Sequence, residues 1–167
     1  MPMSECHSFS ASLNQSCRIL ILGSMPGEVS LQKQQYYAHP QNRFWPMICS
    51  ILDTPKVPER YEERLQLLLM HNIGLWDSLA FCERSGSLDS AIKQEQANDF
   101  PSLFKHYPQI EKICFNGTKA FQSFKKYHKD LLQDTQKRFI ALPSTSPANA
   151  RWQMPKLMEA WKIALQT

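Results

Sequence analysis

The residues of this chain that could do chemistry sit in two polar stretches and at two isolated positions. The first stretch runs from Gly23 to Asn42 and carries Ser24, Tyr36, Tyr37, His39 and Asn42. The second is Pro143-Ser144-Thr145-Ser146-Pro147-Ala148-Asn149, rich in hydroxyls. Asp77 and Asn116 each end an apolar run. Hydroxyls and backbone amides hold phosphates. An aromatic face stacks a base, and a side-chain amide reads a base edge because it both donates and accepts. Such a set suits a neutral ring joined to a phosphodiester. There is no Gly-Lys-Ser phosphate loop, no GxGxxG and no GxSxG elbow. Ser144 has no obvious His partner, which argues against a serine hydrolase. His39, beside Pro40, reads as a hydrogen-bonding or structural His, because metal ligands come in sets. No metal and no cofactor are expected.

The elements that must position these residues follow from the apolar pattern. Ile19-Leu20-Ile21-Leu22 makes residues 18–22 a buried strand, stopped by Gly23 and the turn chemistry of Ser24-Met25-Pro26-Gly27. Residues 44–52 read as a helix with Pro46 in its first turn, and residues 58–70 as an amphipathic one. Residues 73–76 read as a second strand ending at Asp77-Ser78. Residues 82–90 leave open a loop or the start of a short helix. Asp99 with Pro101 caps a short helix that stops before Pro108. Residues 110–115 form a third strand, 118–127 a helix, 139–142 a fourth strand, and 154–165 the closing helix. Strands alternate with helices, which predicts a three-layer α/β/α fold with a mostly parallel four-stranded sheet. The polar residues then gather at one sheet edge, where ligands of such folds bind.

With 167 residues, 43 % hydrophobic and 20 % charged, the chain suits one globular domain over 1–167, with residues 1–16 a polar lead-in. The net charge of +4 leans towards polyanions without naming one. Cys6, Cys17, Cys49, Cys82 and Cys114 are scattered and form no CxxC pair, which suits a reducing cytoplasm. The start of the chain has no signal-peptide apolar core, and no apolar run is long enough to span a membrane. A monomer is the default expectation.

Three motifs together resemble the uracil-DNA glycosylase superfamily. Gly23-Ser24-Met25-Pro26-Gly27 is similar to its first motif, and Leu142-Pro143-Ser144-Thr145-Ser146 to its second. Ala38-His39-Pro40-Gln41-Asn42-Arg43-Phe44-Trp45 resembles the mismatch-specific uracil enzymes. With Tyr36-Tyr37 and Thr145-Ser146-Pro147-Ala148-Asn149, the set resembles most the hypoxanthine (deoxyinosine) branch. The resemblance covers roughly residues 17–165.

It implies a monofunctional glycosylase that extrudes deoxyinosine from DNA and hydrolyses its N-glycosidic bond. Met25 stands where mismatch-specific enzymes place the water-positioning Asn, so the resemblance passes that role to Asn42. Leu142 stands where several uracil enzymes have His or Asn, which implies weak uracil cleavage. The resemblance makes Tyr37 the residue stacked on the flipped base and has Ser24 and Met25 line the base pocket. Asp77 and Asn116 read the base edge or serve as turn and cap residues. Gly23, Pro26, Gly27, Ser144, Thr145 and Ser146 are expected against DNA. Pro147, Ala148 or Asn149 fills the gap in the duplex, and Arg151 holds a phosphate. Asn42 has a plainer reading as the N-cap of the following helix. Two rival functions stay open: a uracil or mismatch-specific glycosylase, and a DNA- or nucleotide-binding module without turnover.

Overall fold

The computed structural model describes residues 3–166; Met1, Pro2 and Thr167 lie outside the described residues. Four strands form a parallel sheet: β2 (Ile19–Gly23), β3 (Ile73–Asp77), β6 (Lys112–Asn116) and β7 (Arg138–Leu142), in the order β3-β2-β6-β7. Their runs are apolar on both faces, as a sheet covered on both sides requires. One face packs on α2 (Phe44–Ile51), α3 (Tyr61–Met70) and α6 (Met154–Gln166) through Ile21, Phe44, Leu75 and Trp161. The other packs on α4 (Phe100–His106) and α5 (Thr118–His128) through Leu20, Phe100, Phe115 and Phe124. Burying each such aromatic contributes about 2–3 kcal/mol. Asp99 accepts from the Ser102 amide and caps α4, as its sequence signal predicts.

The expected three-layer α/β/α arrangement is present, and every expected strand and helix is found with ends shifted by a few residues. The sequence reading missed a second sheet. β1 (Ser4–His7), β4 (Leu79–Arg84) and β5 (Lys93–Ala97) form a three-stranded antiparallel sheet in the order β1-β4-β5. The polar lead-in is thus not loose: Ser4–His7 pairs with β4, and Ser12 bridges to Leu75. The undecided stretch after Cys82 ends β4 and then turns. A short helix, α1 (Glu28–Lys33), also stands inside the first polar loop. These elements lack a long apolar run, so their pairing partners, rather than their own patterning, set their conformation.

Candidate active site

Parallel strands bring their carboxyl ends to one edge, and here the last residues of the four strands are Asp77, Gly23, Asn116 and Leu142. Gly23 pairs in register with Asp77, and Asn116 with Leu142. Above this edge lies a cavity of about 710 Å³, within the usual range for a small-molecule site. It is lined by both motif loops, Tyr37, Asn42, Asp77 and Asn116, so the residues singled out in the sequence meet in one space. Arg151 is exposed and stands outside this lining.

Asn42 sits just before α2. Its Oδ1 accepts from the Phe44 amide at 2.9 Å, so the capping role is real. The same oxygen accepts from Thr145 Oγ1 at 2.9 Å. Thr145 Oγ1 in turn accepts from Asn116 Nδ2 at 3.0 Å, and the Thr145 amide donates to Asn116 Oδ1 at 2.9 Å. A continuous relay therefore runs Asn116 to Thr145 to Asn42. Both lone pairs of Asn42 Oδ1 are engaged, which fixes the amide and leaves Nδ2 as the group with which Asn42 addresses a ligand. The expectation that Thr145 touches DNA needs correction: the residue is fully buried, and its hydroxyl is spent between the two amides.

Arg43 fastens the second loop to the same segment. Its backbone amide donates to Thr145 O at 3.1 Å. Its guanidinium donates to the carbonyls of Ser146 and Asn149 at 3.1 Å each, and to that of Trp152. Asn149 donates from Nδ2 to Ser144 O at 2.9 Å, so its side chain holds its own loop. Pro147 and Ala148 are exposed at the loop apex. The hydroxyls of Ser144 and Ser146 accept from the Ser146 and Ala148 amides and keep their own hydrogens to donate.

Tyr37 adopts φ 55°, in the left-handed region, and stacks on Phe44 with ring centroids 4.1 Å apart. Its hydroxyl is buried, and burial together with the charge of Asp77 raises its pKa well above the usual tyrosine value. The nearby Asn116 amide, one of whose hydrogens goes to Thr145, draws that pKa partly back. Tyr37 and Asp77 both crowd Gly23. A Cβ at Gly23 would lie 2.6 Å from Asp77 Oδ1 and 3.2 Å from the Tyr37 hydroxyl oxygen, so the close approach requires glycine there. Asp77 is 3 % exposed, and among the described residues its Oδ2 has no hydrogen-bond partner. Burial, then the Asp89 carboxylate, push its pKa up to about 8 against the opposing pull of Arg84.

The first motif loop is divided between the two sheets. Ser24 donates from Oγ to Asp89 at 2.5 Å. The Met25 side chain packs with Cys6, Leu79 and Cys82 between the loop and the second sheet. Arg84, also buried, donates to Pro26 O at 2.5 Å and supports the loop from behind. The wall formed by Ser87, Leu88 and Asp89 was not anticipated, and neither was the role of Arg43. Arg43 could have been suspected from its place beside Asn42. Asp89 carries no sequence signal, since only the pairing of β4 with β5 brings it to the cavity. Among the described residues no group of three or more His, Cys, Asp or Glu could hold a metal ion, and no helix is long and apolar enough to cross a membrane.

A doubly covered parallel sheet with an amide, an aromatic ring and a buried acid around a cavity at its carboxyl edge describes an α/β domain with a small-molecule site at its strand ends. Residues 11–166 match the family model described as the uracil DNA glycosylase superfamily, and the chain belongs to that superfamily. Two curated relatives, both named hypoxanthine DNA glycosylase, come from Methanosarcina acetivorans and Methanosarcina barkeri. The first is 40 % identical over 86 % of this chain and 88 % of its own length. The second is 36 % identical over 86 % and 87 %. A solution NMR structure from Methanosarcina acetivorans, described as a candidate uracil DNA glycosylase, superposes with a TM-score of 0.83 at 36 % identity and covers 98 % of both chains.

Proposed function

We propose that this protein is a monofunctional DNA glycosylase that hydrolyses the N-glycosidic bond of deoxyinosine and releases hypoxanthine. The observation that carries the reading is the Asn116–Thr145–Asn42 relay, which presents an oriented amide to a cavity with room for a base. The names of the two curated relatives support the choice of base. The nucleotide leaves the duplex and its base enters the cavity, where Tyr37 stacks on it. Asn42 Nδ2 donates to the oxygen of the attacking water and directs its remaining lone pair at C1′. An amide is no general base, so its contribution is orientation and electrostatics on an oxocarbenium-like transition state. Among the described lining residues there is no lysine to form an imine, which suits hydrolysis without strand cleavage.

Ser144 and Ser146 hold the DNA backbone with their hydroxyls, joined by backbone groups of Gly23, Pro26 and Gly27 at the first loop. Pro147 and Ala148 at the exposed apex fill the gap in the duplex, and Arg151 contacts a phosphate from outside the cavity. Uracil suits the site less well. Met25 turns its side chain into the second sheet, and Leu142 is buried in the core, so neither assists a pyrimidine. The chain acts as a single domain and as a monomer in the cytoplasm.

A single-turnover assay on duplex and single-stranded oligonucleotides carrying one deoxyinosine, deoxyuridine or deoxyxanthosine, followed by alkaline cleavage, tests the reading. Strand breaks with deoxyinosine are expected. Breaks mainly with deoxyuridine would move the protein to the uracil branch, and binding without breaks would make it a non-catalytic module.

A further inference from the structure

Breaking a purine N-glycosidic bond leaves negative charge on the departing ring unless a proton reaches it. Leu142, buried in the apolar core, supplies none. Among the described cavity-lining side chains that titrate, most are placed badly for the task. Glu28 and His39 are exposed at the rim, and His39 Nδ1 accepts from the Gln41 amide. Tyr36 donates its hydroxyl to Ser10 O. Tyr37 is held too far up its titration range to give a proton readily. Asp89 is exposed and accepts from Ser24. Asp77 remains: it is buried, lines the cavity at the strand edge, and has an Oδ2 without a partner among the described residues.

We propose that Asp77 is the acid that protonates the purine ring as it leaves, a role that rests on the deoxyinosine reading above. The C1′–N9 bond breaks with its electron pair going to the ring. The Asp77 O–H proton moves to N7, the basic imidazole nitrogen conjugated with N9. Neutral hypoxanthine and an Asp77 carboxylate result. Water adds its oxygen to C1′ and releases its proton to solvent, and Asp77 takes a proton back from solvent once the base has gone. A pyrimidine has no N7, so the same acid favours a purine.

The surroundings keep the proton on Asp77 at neutral pH. Its burial is the main cause, and the Asp89 carboxylate from the β4–β5 connection adds to it, while Arg84 on β4 opposes. Tyr37 and Tyr36 from the loop after α1 and Tyr61 on α3 also feel its charge and stay protonated themselves. Gly23 and Asn116, at the ends of β2 and β6, bring no charge. A carboxylic acid with a pKa near the working pH is suited to give its proton and recover it.

The test measures single-turnover release of hypoxanthine from a deoxyinosine duplex over roughly pH 5.5 to 9.5, the range that brackets such an acid. Wild type, Asp77→Asn and Asp89→Asn are compared. Wild-type rates should fall on the alkaline side. Asp77→Asn should be about 100-fold slower at neutral pH, with no alkaline fall, while still binding a duplex that carries 7-deaza-2′-deoxyinosine. Asp89→Asn keeps the acid but removes a charge that holds its proton, so its alkaline fall should begin at lower pH. An Asp77→Asn enzyme within about threefold of wild type, well below the usual contribution of a general acid, would overturn the proposal. So would the same alkaline fall in that variant. Should Asp77→Asn fail to fold, an unshifted fall in Asp89→Asn would overturn it. Failure of the underlying reading is recognised separately, as absence of hypoxanthine release by the wild type at every pH.

Discussion

Thr145 donates its hydroxyl hydrogen to Asn42 Oδ1 at 2.9 Å, so the loop after the last strand sets the orientation of the amide that precedes α2. The contact joins residues 103 positions apart in the chain. It ties the second motif loop to the segment that precedes α2: a shift of either moves the amide.

Replacing Thr145 by Val keeps the volume and removes the hydroxyl. Asn116 and Asn42 then each lose a buried partner, an effect of about 1–3 kcal/mol per orphaned group. Turnover should fall by about tenfold or more on that scale, with DNA affinity little changed. Thr145→Ser should restore most of it. Single-turnover rates and a DNA titration on the same preparations check this, and an active Val variant would remove the relay from the mechanism.

Asn42 both caps α2 and addresses the cavity, and two substitutions separate the roles. Asn42→Asp retains an oxygen for the Phe44 amide and loses the Nδ2 donor. Its thermal stability should stay near wild type while cleavage is lost. Asn42→Ala should lose cleavage and about 1 kcal/mol of stability as well. Equal cleavage by Asn42→Asp and wild type would leave only the cap.

Asp77 also predicts a pH dependence of stability. Its folded pKa, about 8, stands above the ordinary 3.8, so the folded state retains a proton that the unfolded state gives up. The contribution is fully present below the ordinary value, shrinks as pH rises, and is gone above the folded pKa. Asp77→Asn does not titrate. Its melting temperature relative to wild type should therefore climb steadily from pH 5 to about 8 and then level off. A constant difference across that range would contradict the raised pKa.

Gly23→Ala should harm turnover more than folding. The added Cβ meets Asp77 Oδ1 at 2.6 Å, and the acid and the Tyr37 ring must move to admit it. The overpacking costs about 1–3 kcal/mol. Displacement of both groups should lower the single-turnover rate by at least about tenfold, since small misplacements at a reacting centre are costly. Melting curves beside rates distinguish this from simple loss of fold.

The parallel sheet was legible because its central strands are buried on both faces and the apolar runs end at turn residues: Leu22 before Gly23, Phe115 before Asn116, Leu142 before Pro143. The gathering of Asn42, Tyr37, Asp77 and Asn116 followed from that topology. The antiparallel sheet was not legible. Ser4–His7 and Lys93–Ala97 are polar, and their strand conformation comes from pairing with β4. The internal use of Thr145 was hidden for another reason: a hydroxyl in a Ser/Thr-rich loop looks alike whether it meets a phosphate or a neighbouring amide. Asp89 came to the cavity through a fold-back that no local pattern announces.

Ser24–Asp89 and Glu28–Ser87 are hydrogen bonds between residues 24–28 and the β4–β5 connection, so one stretch of the cavity wall hangs on the antiparallel sheet while the amide relay stands on the parallel one. That stretch of wall and the amide relay therefore hang on different parts of the backbone. A substitution in the β4–β5 hairpin reshapes that stretch of wall while the Asn116–Thr145–Asn42 hydrogen bonds, on the other sheet, keep their partners.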